Sequence, residues 1–448
     1  MSTYPSSHFH SVQTCLLEKS QDQQLTPDGT VPIQSTLTEF PKPTVKTVLN
    51  GEFTDKISTW YADSFPFREN FVSMNSQFQR LYGLNTEEIN GGTVVADDIP
   101  VDGEMKSTLK KDKKKESDSS DEDDGRDDKA EITTQPEQVG TVYIAEDRAF
   151  GLYGFDAQGA TNYSAMVSEL ADQLKGTSTV YDILAPTSVA IDLDEEMQAK
   201  IGSSSQKDAF EYIEKNLDKN VKFVPVLDVL KKHNSEYLYN RTDHHWTADG
   251  AYYAYKQFMK IKGEKASPLK DYTKKEFDGF LGSFYSFSNQ SEVLYNNQDT
   301  VNAYIPEVNE LTYIDHNGVE QKGKVVEDAD SYSKENKYLC FIEGDEPYEK
   351  IENPNVDDDS SCVVIKESYG NAFVPFLVNN YHDVYVIDYR YYSGGLVNLI
   401  KENDIKDVIF LNTTIAITTS RVHTIIIISM ADLIRLLIII LLFILYSL

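Results

Sequence analysis

Two hydrophobic rhythms alternate along this chain from about Gly140 onward. Short unbroken apolar runs, bounded by Pro, Gly, Asp or Asn, read as buried strands. Segments whose apolar residues return every third or fourth position read as helices. Thr179-Val180-Tyr181-Asp182-Ile183-Leu184 is the first such run and stops at Ala185-Pro186-Thr187-Ser188. Ala209 to Leu217 predicts a helix, Val221 to Val226 a second strand, and Leu227 to Lys232 a short helix. Ala248 to Phe258 predicts a longer helix, with Thr247 as its N-cap and Asp249 in the first turn, where the helix dipole favours an anion. The run Cys362 to Ser368 predicts a strand ending in serine, and Tyr369 to Leu377 a turn entering a helix. Asp383 to Asp388 and Asp407 to Leu411 are two further strands. Continuous apolar strands alternating with helices predict an α/β domain over residues 140–415, its mostly parallel sheet flanked by helices. Phe277 to Val325 follows neither rhythm and reads as an irregular, polar insertion near the functional face.

Outside that domain the pattern changes. Residues 1–45 are rich in Ser, Thr, Gln and Pro, lack the apolar core of a signal peptide, and read as a flexible tail. Residues 46–100 read as a helical N-terminal region, two helices meeting at Ser64-Phe65-Pro66-Phe67-Arg68 with Phe53, Ile57, Trp60, Tyr61 and Phe71 as packing residues. Residues 101–139 read as a charged linker in which a lysine block, Lys110 to Lys115, runs into an acidic block, Asp121 to Asp124. With hardly an apolar residue, that stretch cannot offset the entropy of ordering and is expected to be disordered. After Asn412 the composition turns Ile-rich. Residues 424–448 read either as a membrane segment, with Asp432 and Arg435 costly near its centre, or as an altered terminus.

The formal charge of −30 argues against a nucleic-acid partner, because phosphate binding needs clustered cations. Cys15, Cys340 and Cys362 are too few and too scattered for a disulfide framework or a thiolate zinc site. Cys340 and Cys362 read as one bridge or as two inert thiols. No cofactor and no metal is expected.

The chemistry concentrates in Thr242-Asp243-His244-His245-Trp246-Thr247, which holds two of the eight histidines and one of the two tryptophans. Asp243 and His245, two apart, share one side of an extended segment, so the carboxylate can orient the imidazole. A serine hydroxyl becomes a strong nucleophile only when such a base takes its proton. Ser368 stands where an open α/β sheet gathers reactive groups, at a strand's carboxyl end, and amides of the following turn are candidates to hold an oxyanion. There is no G-x-S-x-G elbow around it. Other readings stand beside this one. His245 reads alternatively as a buried structural histidine, and His244 as a supporting or solvent-facing residue. Asp243, His244, His245 and Asp249 form a rival metal set without H-E-x-x-H spacing. Trp246 reads as a sugar-stacking or a packing residue. Asp388 and Arg390 read as a supporting ion pair, and Asn371 as an aid to the oxyanion site.

Arg241 to Thr247, together with Lys366-Glu367-Ser368-Tyr369-Gly370-Asn371-Ala372-Phe373 and Ile387-Asp388-Tyr389-Arg390-Tyr391-Tyr392, resembles the DHHW family of bacterial surface proteins. The Gly51 to Phe71 stretch, with Trp60 to Arg68 inside it, looks like the amino-terminal region of that family, and the resemblance covers most of residues 45–412. The family is similar to SGNH-hydrolase-like proteins that O-acetylate alginate and other exopolysaccharides. The resemblance implies that Asp243 orients, His245 is the base and Ser368 attacks an acetyl donor, passing the acyl group to a sugar hydroxyl or to water. It implies an acyl donor and a polysaccharide acceptor as partners, and an extracytoplasmic location, with or without membrane association. Glu367 stands where relatives often have aspartate, and the family's usual apolar export anchor is not seen. Two other classes remain open. A non-catalytic carbohydrate-binding or scaffold protein would expose Tyr237, Tyr239, Tyr391 and Tyr392 along a groove. A metal-dependent hydrolase would be sensitive to chelation.

Overall fold

Strand pairing is organised around three short elements and one large sheet. The computed structural model describes Ile99 and residues 132–417, all within the compact unit Ile89–Leu448. The flexible tail, the helical region apart from Ile99, the linker up to residue 131, Cys15 and the apolar segment 424–448 lie outside the described residues. Strands β1 (Glu137–Val139), β2 (Val142–Ala145) and β3 (Arg148–Phe150) form an antiparallel sheet, and β1 begins within the stretch read as linker.

The main sheet has eight strands. They are β4 (Thr179–Ala185), β5 (Val221–Val224), β8 (Glu310–Ile314), β9 (Glu320–Lys324), β10 (Tyr348–Glu352), β11 (Ser361–Lys366), β12 (Asp383–Asp388) and β13 (Asp407–Thr413). Their order is β5-β4-β13-β11-β12-β10-β8-β9, with β6 (Thr273–Phe280) and β7 (Asp299–Ile305) forming a separate antiparallel pair. Pairing is parallel from β5 to β12 and antiparallel from β12 to β9. This is the α/β sheet flanked by helices that the sequence predicts. Every residue of β11 and β13 is buried, which is why these strands read as unbroken apolar runs.

The helices carry one apolar stripe each. Ala160, Tyr163, Val167, Leu170 and Ala171 line the buried side of Ala157–Gln173, capped by Asp156 Oδ1 accepting from Gly159 N–H at 2.9 Å. Ala251, Ala254, Tyr255, Phe258 and Met259 do the same for Ala248–Lys262. That helix starts at Thr247, whose Oγ1 accepts from Gly250 N–H at 3.2 Å, and ends at Gly263, in the left-handed conformation with φ 88°. The predicted cap is therefore the observed one, and it fixes the residues just before it.

The insertion Phe277 to Val325 is not irregular. It contains the end of β6, all of β7, and the β8–β9 hairpin that widens the main sheet. The rhythm was absent because these are peripheral strands. Glu320-Gln321-Lys322-Gly323-Lys324 is polar on both faces, pairs only through β8, and needs no buried side, and charge on such an edge also discourages pairing with another chain. Cys340 and Cys362 are both buried free thiols. Among the described residues no helix is long and apolar enough to cross a membrane.

Candidate functional site: a serine, a histidine and an aspartate in series

The Asp243 loop is built before it meets anything else. Tyr239 bridges to Trp246, Thr247 N–H donates to Leu238 O at 2.8 Å, and Asn240 N–H to His245 O at 3.2 Å, closing residues 238–247 into a tight hairpin-like turn. Asp299, at the start of β7, clamps the turn from outside. Its carboxylate accepts from the amides of Arg241 and Thr242, both at 2.8 Å, and from the hydroxyls of Thr242 and Tyr237. Within the turn, Asp243 Oδ1 accepts from His245 N–H at 3.1 Å and lies 2.5 Å from His245 Nδ1. Its Oδ2 accepts from Ser283 N–H at 2.7 Å. One carboxylate thus fixes both the backbone and the ring of His245.

The partner comes from far along the chain. β11 delivers Ser368 at its carboxyl end, as the first residue of a short 3-10 turn, and Ser368 Oγ lies 2.7 Å from His245 Nε2, across 123 residues of sequence. Trp246 locks the two segments together: its Nε1–H donates to Tyr369 O at 2.9 Å, and the side chain is fully buried. Trp246 therefore packs and cannot stack on a sugar. Tyr338 covers His245, ring centroids 4.0 Å apart and planes 13° from parallel, and His244 covers the other side at 3.8 Å.

Burial pushes the Asp243 carboxyl up, but the two imidazoles, the His245 hydrogen bond and the Ser283 amide outweigh it and hold the group well below the ordinary carboxylate range. His244 is moved the other way. Burial and the neighbouring His245 bring its pKa down to about 4, while Asp243 and Asp345 oppose the shift. His244 is therefore neutral near pH 7, with Nδ1 2.7 Å from Ser283 Oγ. Because its folded pKa lies below the unfolded 6.5, the stability gained from keeping it neutral is whole above about 6.5 and is lost as the pH falls toward 4. That gap is worth roughly 3 kcal/mol. Between pH 7 and 4 the melting temperature of His244→Gln is expected to fall less than that of the wild type; equal slopes would refute the assignment.

The site also needs a glycine. A Cβ on Gly282 would stand 2.2 Å from Asp243 Oδ2, closer than any real contact, so the carboxylate occupies the space a side chain would fill. Gly282→Ala is expected to displace Asp243 and pull His245 out of line with Ser368, read as about a 100-fold slower reaction with an activated acetyl ester beside a melting curve.

The remaining predicted residues fall into a charged cluster beside the serine. Lys366, fully buried, reaches Asp388 at 3.4 Å and Asp345 at 3.3 Å. An unpaired ammonium there would cost several kcal/mol. Arg390 grips Asp388 through Nε and Nη2, at 2.9 and 2.5 Å, and reaches Asp345 at 3.0 Å. Asn371 donates to Asp345 Oδ1 at 2.9 Å, so its amide is turned toward this cluster. The turn after Ser368 differs from the expectation. Tyr369 N–H donates to Glu367 Oε2 at 3.1 Å and Gly370 N–H to Glu367 O at 2.9 Å, so both amides are already engaged. The tyrosine groove is not formed either. Tyr239 is buried with its hydroxyl on Pro186 O, and Tyr237, half-buried like Tyr392, is tied to Asp299, so that of the four Tyr391 alone is exposed.

Donor atoms of Asp243, His244 and His245 lie within 4.8 Å of one another, close enough to share a cation. Both His245 nitrogens and both Asp243 oxygens are already committed to each other, to Ser368 and to Ser283, so binding one would dismantle the series. Asp249 is not part of the set; it accepts from Asn302 and Tyr304. Sequence reasoning missed Tyr338, Gly282, Ser283 and Asp299, three of which sit in the stretch read as irregular.

Fold and site together define an α/β protein that carries Ser, His and Asp in hydrogen-bonded series at the carboxyl end of its sheet. The chain belongs to the DHHW family: the model for the DHHW protein matches residues 34–107 and 113–387. It is similar to a solved DHHW family protein from Eubacterium siraeum, 28% identical with a TM-score of 0.59, covering 66% of this chain and 97% of that one. It is also similar in fold to Bacillus cereus PatB1, 21% identical with a TM-score of 0.54, over 62% of this chain and 98% of that one. The same protein solved with a sulfonyl adduct matches at 20% identity and a TM-score of 0.53, over 62% and 96% of the two chains. These neighbours share the fold of this chain. No curated protein matches.

Proposed function

We propose that this chain is an SGNH-like serine acyltransferase or esterase acting on O-acetyl groups of cell-envelope or extracellular polysaccharide. The observation that carries the reading is the series Asp243 Oδ1, His245 Nδ1, His245 Nε2 and Ser368 Oγ, with contacts of 2.5 and 2.7 Å. In the forward half-reaction His245 takes the Ser368 proton and Oγ bonds to the acetyl carbon. The donor's leaving group departs with the proton that His245 returns. In the second half a glycan hydroxyl, or water, gives its proton to His245 and takes the acetyl group, and Ser368 is restored. Ser368 and His245 are 3% and 6% exposed, beneath Tyr338 and His244, which favours a small acyl group over a long chain. The polysaccharide acceptor and the extracytoplasmic location rest on the family resemblance.

Brief exposure to p-nitrophenyl acetate should leave one acetyl group on the peptide containing Ser368, read by intact mass and peptide mapping. Acetyl on another residue, or none, would end the serine reading. A metal-dependent hydrolase would lose activity to a chelator, whereas this site should not. A non-catalytic scaffold would turn over the ester no faster than buffer, and the aromatic groove expected of it is not formed by Tyr237 and Tyr239.

A further inference from the structure

Glu367 is the polar group nearest the serine to which the reaction above gives no role. It is buried at the end of β11. Its Oε1 accepts from Thr413 N–H at 3.0 Å, at the end of β13, and its Oε2 from Tyr369 N–H at 3.1 Å. The same Oε2 lies 3.3 Å from Ser368 Oγ. Among the described residues Glu367 has no ion-pair partner. Lys366, next to it, turns to Asp388 and Asp345 instead. The titratable groups that face Glu367 are His245, Tyr338, Tyr369, Tyr389 and Asp345, none of them a fixed cation.

We propose that Glu367, resting on the serine reading above, is a further catalytic residue: as a neutral carboxylic acid it donates its Oε2 hydrogen toward Ser368 Oγ and toward the negative charge that grows beside it. Three features of the site favour such a donor. Two amides of the following turn, those of Tyr369 and Gly370, already donate to Glu367 and so are not free for an oxyanion. A buried carboxyl without a cation is more stable uncharged, and burial outweighs the Tyr369 amide, His245 and the Thr413 amide in carrying this one upward. An ionised carboxylate 3.3 Å from the nucleophile would instead repel the transition state. The acid proton is not transferred. The Oγ–C bond forms, the acyl bond to the donor's leaving group breaks, the hydroxyl proton travels through His245, and Glu367 supplies a hydrogen bond throughout.

The test is the pre-steady-state burst with p-nitrophenyl acetate, followed from about pH 5 to 10 in wild type, Glu367→Gln and Glu367→Ala. The wild-type rate should fall on the alkaline side as the acid ionises. Alanine should slow acylation about 100-fold. Glutamine, whose amide can donate from the same place, should recover most of that loss and abolish the alkaline fall. Melting curves guard against a misfolded alanine variant, and the isosteric glutamine keeps the pH comparison decisive. Glutamine as slow as alanine, or glutamine keeping the wild-type alkaline fall, would overturn the proposal. A burst identical in all three proteins would overturn it while leaving the serine reading intact. No wild-type burst and no acetyl on Ser368 would remove both.

Discussion

Ser368→Ala should lower turnover of an activated acetyl ester by about 10⁴-fold or more and abolish the covalent acetyl intermediate. The expectation rests on what remains when Oγ is removed. His245 keeps its Asp243 partner but has no hydroxyl to activate, so only general-base attack by water survives. Among the described residues the rival is Ser283, whose Oγ lies 2.7 Å from His244 Nδ1. That pair is poorly suited to nucleophilic attack, because burial and His245 bring the His244 pKa down to about 4 and leave it a weak base at neutral pH. Ser283→Ala should therefore leave the acetyl label on Ser368. If the alanine at 283 removes the label and the alanine at 368 keeps it, the assignments exchange.

Asp243→Asn should cost about 10⁴-fold in kcat with little change in KM. The carboxylate accepts both the backbone and the ring N–H of His245, which fixes the tautomer that leaves Nε2 free to receive a proton. An amide can turn its NH₂ toward the ring, favouring the opposite tautomer and disarming Nε2. It also takes away the negative charge that stabilises the imidazolium. Steady-state kinetics with the mutant and a melting curve check both parts; a loss under tenfold would mean that Asp243 only shapes the loop.

Much of this arrangement was legible without coordinates because it rests on local rules. Asp243 and His245 share a side, Thr247 caps the helix behind them, and β11 and β13 are unbroken apolar runs because both faces are covered. The strands of the insertion were not legible. β9 is held by backbone pairing at an edge, which leaves no hydrophobic signature. That loss hid Gly282 and Ser283, which hold Asp243, and Asp299, which clamps the turn. Tyr338 was hidden for another reason: its stacking on His245 is a tertiary contact, and nothing in the spacing of Lys334 to Cys340 announces it. The engagement of the Tyr369 amide was not legible because it depends on the side chain of Glu367, the residue before the serine, being long enough to claim it.

The strand order has a consequence for how the chain acquires its shape. β13, last in sequence of the thirteen strands among the described residues, is inserted between β4 and β11, so the strand bearing Ser368 joins the half of the sheet built from residues 179–224 only through it. During synthesis those earlier strands must wait, with one long edge unsatisfied, until residues 407–413 have left the ribosome. Such non-local closure is slow compared with helix formation, and a nascent chain halted before that point would carry every residue of the triad without the strand that joins the two halves of the sheet.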